Sequence, residues 1–334
     1  MLKKLFGIAL CILMVTSMAF AAGGGQKAAT TDVVELQCGI TLTLDSHYGM
    51  GLQEFKRLAE QYSNGTVKVE IFPNSQLGSE REMFEGVSMG THSMTVISTG
   101  PVPNFFPDFS VLDLPYLFPT AEVAYSVLDG EIGTSLLKQL ETNGIYGLGF
   151  WENGFRHVTN SVRAIKTPAD LKGLKIRTME NPIHMHTYIH YGAAPTPMAM
   201  GEVFLALQTK TVDGQENPAI NILTSRLNEV QSHMSLTGNF YSPALFVINK
   251  ALLEKMTPQQ RDAVLKAAAE AKNWQRKYSQ DNTADAIAKI KAGGTTVTEV
   301  NLNDWVDFSR KVYTDNIRNA KINLDIVKQI QAVK

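Results

Sequence analysis

The chain has 334 residues, 44% hydrophobic and 19% charged, with 31 Lys and Arg against 32 Asp and Glu. A formal charge of −1 offers no basic face to nucleic acid, and so high an apolar fraction excludes a disordered chain. A chain of this length buries a large core and is long enough to divide into two lobes.

Lys3 and Lys4 open the chain, Leu5–Phe20 runs for 16 residues without a charge, and Ala19-Phe20-Ala21 sets small residues two apart. This is the pattern of a cleaved export signal over residues 1–21, and the apolar run falls short of the roughly 20 residues that span a bilayer. Cys11 lies inside that run behind Leu10, which argues against lipoprotein processing. Residues 22–32 read as a small, polar tether. Cleavage leaves Cys38 as the one cysteine, so no intramolecular disulfide is expected, and its apolar neighbours Val33–Ile40 make it a buried, inert thiol. The chain is expected to be exported.

Val33–Ile40 reads as a first strand. Leu52, Phe55, Leu58, Ala59 and Tyr62 fall at helical spacing, and Asn64-Gly65 ends that helix. Val67–Phe72 alternates as a strand stopped by Pro73, and Ser79 with Glu82 forms a capping box for a helix carrying Met83, Phe84 and Val87. Met94–Ile97 is a third short strand, and the β-α-β-α-β order predicts a mostly parallel sheet with ligands beyond the carboxyl ends of its strands. Pro101–Pro119 holds five prolines among large apolar residues, so it is expected as an ordered loop packed on the core. Two helices over about 120–142 precede the strand Ile145–Trp151. Trp151-Glu152-Asn153-Gly154-Phe155 reads as a turn, after which a second α/β set runs through Leu174–Arg177 and a helix at His184–Tyr191. Asp213–Pro218 reads as a turn-rich stretch, and Ser242–Asn249 as an apolar strand. A helix of about 35 residues starts after Thr257 and stops at Gly293-Gly294, and Asp304–Val333 is helical. No internal repeat is present.

Enzyme motifs are sparse. There is no Gly-x-Ser-x-Gly elbow and no Gly-x4-Gly-Lys loop, and the glycines at 144, 147 and 149 precede a strand rather than a helix. His184, His186 and His190 raise a zinc reading, with His186 and His190 four apart on one helix face, but no acidic residue between them serves as a general base. Glu80 and Glu82 suit a capped surface helix better than a glycosidase dyad. Arg177 stands out: it closes an apolar strand just before Asn181-Pro182, where a doubly wound fold places its ligand, and its planar fork matches a carboxylate. Arg156, after the expected turn, and the amides of Asp213–Pro218 are further candidates.

These residues carry a resemblance. Gly173-Leu174-Lys175-Ile176-Arg177, Gly192–Met198, Glu202–Gln208 and Val212-Asp213-Gly214-Gln215-Glu216-Asn217-Pro218 occur in this order, with Ser75–Gly78 and Leu112–Phe118 upstream. Together they resemble the DctP-type extracytoplasmic solute-binding proteins of tripartite ATP-independent periplasmic (TRAP) transporters. The resemblance implies a two-lobed α/β periplasmic binding protein with a ligand cleft between the lobes and long C-terminal helices. The implied lobes are 33–153 plus about 244–282, and 154–243 plus about 283–334. It further implies that the lobes close over a small organic acid, without a cofactor, metal or catalytic step, and deliver it to a small and a large integral membrane subunit. Arg177 matches the arginine that binds the ligand carboxylate, Arg156 a second, assisting arginine, and Asn217 a contacting amide. Glu80, Ser98, Glu180 and Met200 match pocket-lining positions of sialic-acid-type members. Ser98 stands where those members carry glutamate and Met200 where they carry phenylalanine, which weighs against sialic acid. Asn239, Phe240 and Tyr241 fall where the family places a strand near the cleft.

Which acid is bound stays open at this point. Met200, Phe240 and Tyr241 suit an apolar or aromatic acid, whereas Glu80, Glu180 and Asn239 suit a hydroxylated one such as a uronate. The same fold could instead report to a membrane receptor as a sensor, and an exported metal-dependent enzyme is a more distant alternative. The default expectation is a monomer.

Overall fold

The structure, a computed structural model, describes residues 32–319 and 322–333. The export signal expected at 1–21, and all but the last residue of the tether, lie outside the described residues.

β1 (Val34–Gly39) leads through α1 (His47–Tyr62) to β2 (Val67–Phe72), and α2 (Glu80–Met89) leads to β3 (Met94–Ser98). β1 pairs in parallel with both neighbours, as strands joined by helices must. The Ser79 hydroxyl accepts from the Glu82 amide and the Glu82 carboxylate accepts from the Ser79 amide, so the capping box read in the sequence is formed. The proline-rich segment folds into two 3-10 turns, Val102–Asn104 and Pro107–Asp113, that bury Val102, Phe109 and Leu112. α3 (Ala121–Leu128) and α4 (Glu131–Gln139) then lead to β4 (Ile145–Asn160). Next come β5 (Lys175–Thr178), α5 (Pro182–His190), β6 (Ala194–Pro197), α6 (Met200–Gln208), β7 (Gly214–Pro218), α7 (Ala219–Thr224) and β8 (His233–Ser235). β9 (Tyr241–Asn249), α8 (Lys250–Lys255), α9 (Pro258–Ala292), β10 (Thr296–Thr298), α10 (Leu302–Asn319) and α11 (Leu324–Ala332) complete the order.

The strands join as β2-β1-β3-β9-β4-β7-β5-β6, with β8 on β4 and β10 on β8. The sheet is mixed, where the sequence pattern predicts a mostly parallel one. β5 pairs in parallel with β6 and β7, but β9 runs antiparallel to β3 and β4, and β4 antiparallel to β7 and β8. One lobe is built on β2-β1-β3 and the other on β7-β5-β6. β4 belongs to both: Ile145–Phe155 pairs with β9, and Arg156–Asn160 with β7.

β4 and β7 also correct two loop readings. Trp151–Phe155 is no turn but the middle of a 16-residue strand, and Gly214–Pro218 is a fully buried strand. What looks like turn chemistry around Gly154 is a β-bulge: the register with β9 shifts between Glu152 and Gly154, and Gly154 takes φ +119°, a conformation open to glycine and costly to other residues. The bulge leaves Asn153 as the extra residue. It also frees the Glu152 backbone, which Gln275 of α9 recaptures: the Glu152 N–H donates to Gln275 Oε1 at 2.9 Å and Gln275 Nε2 donates to the Glu152 carbonyl at 2.8 Å. Buried backbone groups are seldom left unmet, so this side chain substitutes for the missing ladder partner.

Side-chain alternation along β9 builds a core on each face. Leu245 and Val247 pack with Phe109, Leu112 and Phe150, while Ala244, Phe246 and Ile248 pack with Phe55, Trp151 and Val264. α9 spans both lobes. Its Val264, Ala267, Ala268 and Ala271 pack on the first, and its Ala286 and Ile290 join Val203, Ile222 and Met234 of the second. Small residues let it come close to α1, where a Cβ on Gly51 would sit 2.6 Å from Trp151 and 2.7 Å from Gln275. Trp305 of α10 packs edge-on to Tyr191. Val327 and Ile330 of α11 return to the cluster that holds Leu117 and Phe118.

Glu152 therefore sits where α9 grips the strand shared by the lobes. Its carboxylate accepts from Gln280 Nε2 at 2.7 and 2.8 Å, from Ser279 and from the Tyr125 hydroxyl. Burial pushes its pKa up to about 7, against these donors. An acid raised in the fold contributes stability below its unfolded pKa and loses it as pH rises through the folded value. Glu152→Gln should therefore melt within about a degree of the parent at pH 4 and be more stable at pH 8, by on the order of 3 kcal/mol. Thermal denaturation across that range checks this, and equal shifts at both pH values would contradict it.

Candidate functional site

A small cavity with about 20 Å³ free, on the order of one water molecule, lies where residues of both lobes meet. From the first lobe come Thr41 and Leu42 after β1, Tyr48 of α1, Glu80 of α2, Ser98 of β3 and the bulge residue Asn153. From the second come Arg156, Arg177, Met179, Met200, Asn217 and Asn221. A second cavity of about 20 Å³ adjoins it, sharing Glu80, Arg177, Met179 and Met200 and adding Glu180. A larger surface groove of about 560 Å³ near Ser161, Asn228 and Gly294 has no arginine in its lining and none of the candidates from the sequence.

Arg156 and Arg177 reach the cavity differently. Arg156 is fully buried, and its Nε donates to the Glu216 carboxylate while Nη2 donates to the Glu216 carbonyl at 2.7 Å and to Asn217 Oδ1 at 3.1 Å. Burial would raise the Glu216 carboxyl, but the charge of Arg156 holds it down to about 2. Arg156 is correspondingly held above its ordinary range, burial opposing and Glu216 prevailing. On its far side, Glu216 Oε1 lies 3.5 Å from His184 Nδ1, and His184 Nε2 lies 3.5 Å from Asp113 Oδ1. These are longer than good hydrogen bonds and act chiefly through charge. Burial works against His184 protonation, but Asp113 and Glu216 raise its pKa.

Arg177, also buried, has no such partner. Its Nε and Nη2 both donate to the Met198 carbonyl, at 3.1 and 2.7 Å, and among the described residues no carboxylate pairs with it. Burial, and then the charge of Arg156, lower its pKa to about 10. Four buried polar atoms without a protein partner sit on residues of this one cavity: Arg156 Nη1, Arg177 Nη1, the Tyr48 hydroxyl and Asn221 Oδ1. Three of the four are hydrogen-bond donors, a set suited to the oxygens of a small acid.

Of the residues singled out in the sequence, Arg177, Arg156, Asn217, Glu80, Ser98 and Met200 line the main cavity, and Glu180, exposed, borders the second. Asn239, Phe240 and Tyr241 line neither. Asn239 bonds Tyr188 and Thr237, Phe240 stacks on His184 with ring centroids 3.9 Å apart, and Tyr241 packs between Phe118 and Phe155. Phe240 and Tyr241 are part of two separate apolar clusters, and Asn239 is a buried amide with its bonds made inside the protein. His184 is committed to Glu216, Asp113 and Phe240, and among the described residues no group of three or more His, Cys, Asp or Glu is arranged to hold a metal ion. Tyr48, Asn153 and Asn221 escaped the sequence reading. Tyr48 could have been found from its place just after the carboxyl end of β1, where this fold class binds its ligands.

Residues 39–319 match the family model of bacterial extracellular solute-binding protein, family 7, or DctP. This chain belongs to the DctP family. A solute-binding protein of Verminephrobacter eiseniae is 45% identical over 264 residues, covering 79% of each chain. The 2,3-diketo-L-gulonate-binding periplasmic protein YiaO of Escherichia coli is 35% identical and covers 91% of each. The crystal structure of a TRAP periplasmic solute-binding protein from Polaromonas, bound to D-erythronate, superposes with a TM-score of 0.87 at 42% identity, covering 90% of this chain and 99% of that one. The DctP family consists of extracytoplasmic solute-binding proteins of transport systems, and no helix among the described residues is long and apolar enough to cross a membrane.

Replacing Glu216 by alanine strands the buried Arg156 charge, which should cost about 3–5 kcal/mol of stability at pH 7. Urea denaturation measures this, and a loss under 1 kcal/mol would show the pair to be dispensable.

Proposed function

We propose that this protein captures a small organic acid in the periplasm by closing its lobes over it, and hands it to the small and large membrane subunits of a TRAP transporter. It does so after export by residues 1–21, without a cofactor and without changing the solute. The observation that carries the reading is the buried guanidinium of Arg177, held by one carbonyl and met by no acid. Removing such a charge from water costs several kcal/mol unless an anion meets it, and a ligand carboxylate is the anion that its free Nη1 and that of Arg156 can share. Asn217 and Tyr48 orient the remaining oxygens. The ligands named for YiaO and for the Polaromonas protein, a diketogulonate and D-erythronate, are hydroxylated acids of four to six carbons, which favours the hydroxylated over the aromatic class here.

The lobes in this reading are 33–153 with about 244–282, and 154–243 with about 283–334, α11 returning to pack on the first. β4, β9 and α9 pass between them and form the hinge. Closure follows because the closed state joins Arg177 and Asn217 of one lobe to Tyr48 of the other around the acid, contacts that an open state lacks.

Thermal-shift screening against hydroxylated acids and their neutral lactones or amides tests this. An acid at about 100 times its Kd should stabilise by roughly 2.7 kcal/mol, with no shift from the neutral analogue. Arg177→Ala should lose on the order of 3 kcal/mol of binding free energy in calorimetry. Parent-like affinity in that variant would refute the proposal.

A further inference from the structure

The cavity also contains a negative charge. Glu80 is the first residue of α2, and both its oxygens are held by Ser98: Oε1 accepts from the Ser98 N–H at 2.7 Å and Oε2 from the Ser98 hydroxyl at 2.6 Å. The carboxylate so fixed lines both adjoining cavities together with Arg177. The charges around the site are otherwise matched. Arg156 is met by Glu216, and His184 lies between Glu216 and Asp113. Arg81, which also lines the second cavity, pairs with Glu85, so among the described residues Arg177 and Glu80 are the cation and anion of the shared lining without a salt-bridge partner, with Glu180 at the exposed rim.

We propose, building on the carboxylate reading of Arg177, that Glu80 is a specificity-determining residue: it admits monocarboxylates bearing hydroxyl groups and rejects acids with a second carboxylate. A ligand whose one carboxylate meets Arg177 places its other end near Glu80. Each Glu80 oxygen has accepted one hydrogen bond and keeps a lone pair for another, and a ligand hydroxyl supplies the donor for a charge-assisted bond. A second carboxylate supplies no donor and sets two negative charges together in a poorly solvated space, where like charges repel strongly. Ser98 matters because it fixes Glu80 in place, so the carboxylate cannot swing away to make room.

The test uses matched acids that differ only in whether the terminal carbon is an alcohol or a carboxylate: D-erythronate against meso-tartrate, and D-gluconate against D-glucarate. Calorimetry on the purified protein should show the monoacid of the pair that binds preferred by at least 100-fold. In Glu80→Gln, which keeps shape and removes charge, that preference should fall at least tenfold, chiefly through tighter binding of the diacid. Ser98→Ala keeps the charge but removes one of the two bonds that fix it, and should lower the preference by less than Glu80→Gln does. If Glu80→Gln fails to fold by circular dichroism, the parent and Ser98→Ala measurements still decide. A diacid bound within tenfold of its monoacid by the parent, an unchanged ratio in folded Glu80→Gln, or preference for unhydroxylated succinate would each overturn the role of Glu80 while leaving the Arg177 reading intact. Failure of every acid to bind would overturn both.

Discussion

Two guanidinium groups taken out of water within one small cavity set the terms for the rest of this fold. Each brings a desolvation cost of several kcal/mol and a set of N–H donors that must be met. The protein meets them unequally. Arg156 is neutralised by Glu216, whose own charge is kept by Arg156 and supported by His184, itself stacked on Phe240 and faced by Asp113. Arg177 receives one backbone carbonyl. In the proposed function this asymmetry divides the roles: Arg156 is a fixed, charge-neutral part of the wall, and Arg177 holds the positive charge that an incoming anion would complete. Its pKa, lowered only to about 10, leaves it cationic at any physiological pH.

The scaffold that holds this arrangement depends on β4. As one strand it pairs with β9 in the first lobe and β7 in the second, so Arg156 emerges at the crossover itself. The bulge before it turns Asn153 toward the cavity and hands the Glu152 backbone to Gln275. α9 thereby holds the shared strand at its midpoint while its ends pack into different lobes.

Much of this was legible in the residues. Arg177 announced itself by closing an apolar strand, and Ser79 with Glu82 marked the start of α2, which places Glu80. α9 could be read to within a residue from Thr257-Pro258 and Gly293-Gly294, because caps and stops are local signals. β4 and β7 were not legible. A glycine and two amide or acidic residues in succession carry turn chemistry whether they form a turn or a bulge, and only the partner strand decides between them. The amides and acid of Gln215–Asn217 look solvent-exposed, yet they lie fully inside because Arg156, Thr159 and His184 satisfy them, a pairing distant in sequence. Asn239, Phe240 and Tyr241, which line neither cavity, illustrate a related point: adjacency to the cleft along the chain does not say which face a side chain takes.

The most direct measurement is a crystal structure of the protein with a hydroxylated monocarboxylate, such as D-erythronate, bound at saturating concentration. The ligand carboxylate is expected within hydrogen-bonding distance of Arg177 Nη1, with Arg156 still paired to Glu216. A carboxylate bound away from Arg177, with Arg177 on the Met198 carbonyl alone, would contradict the account.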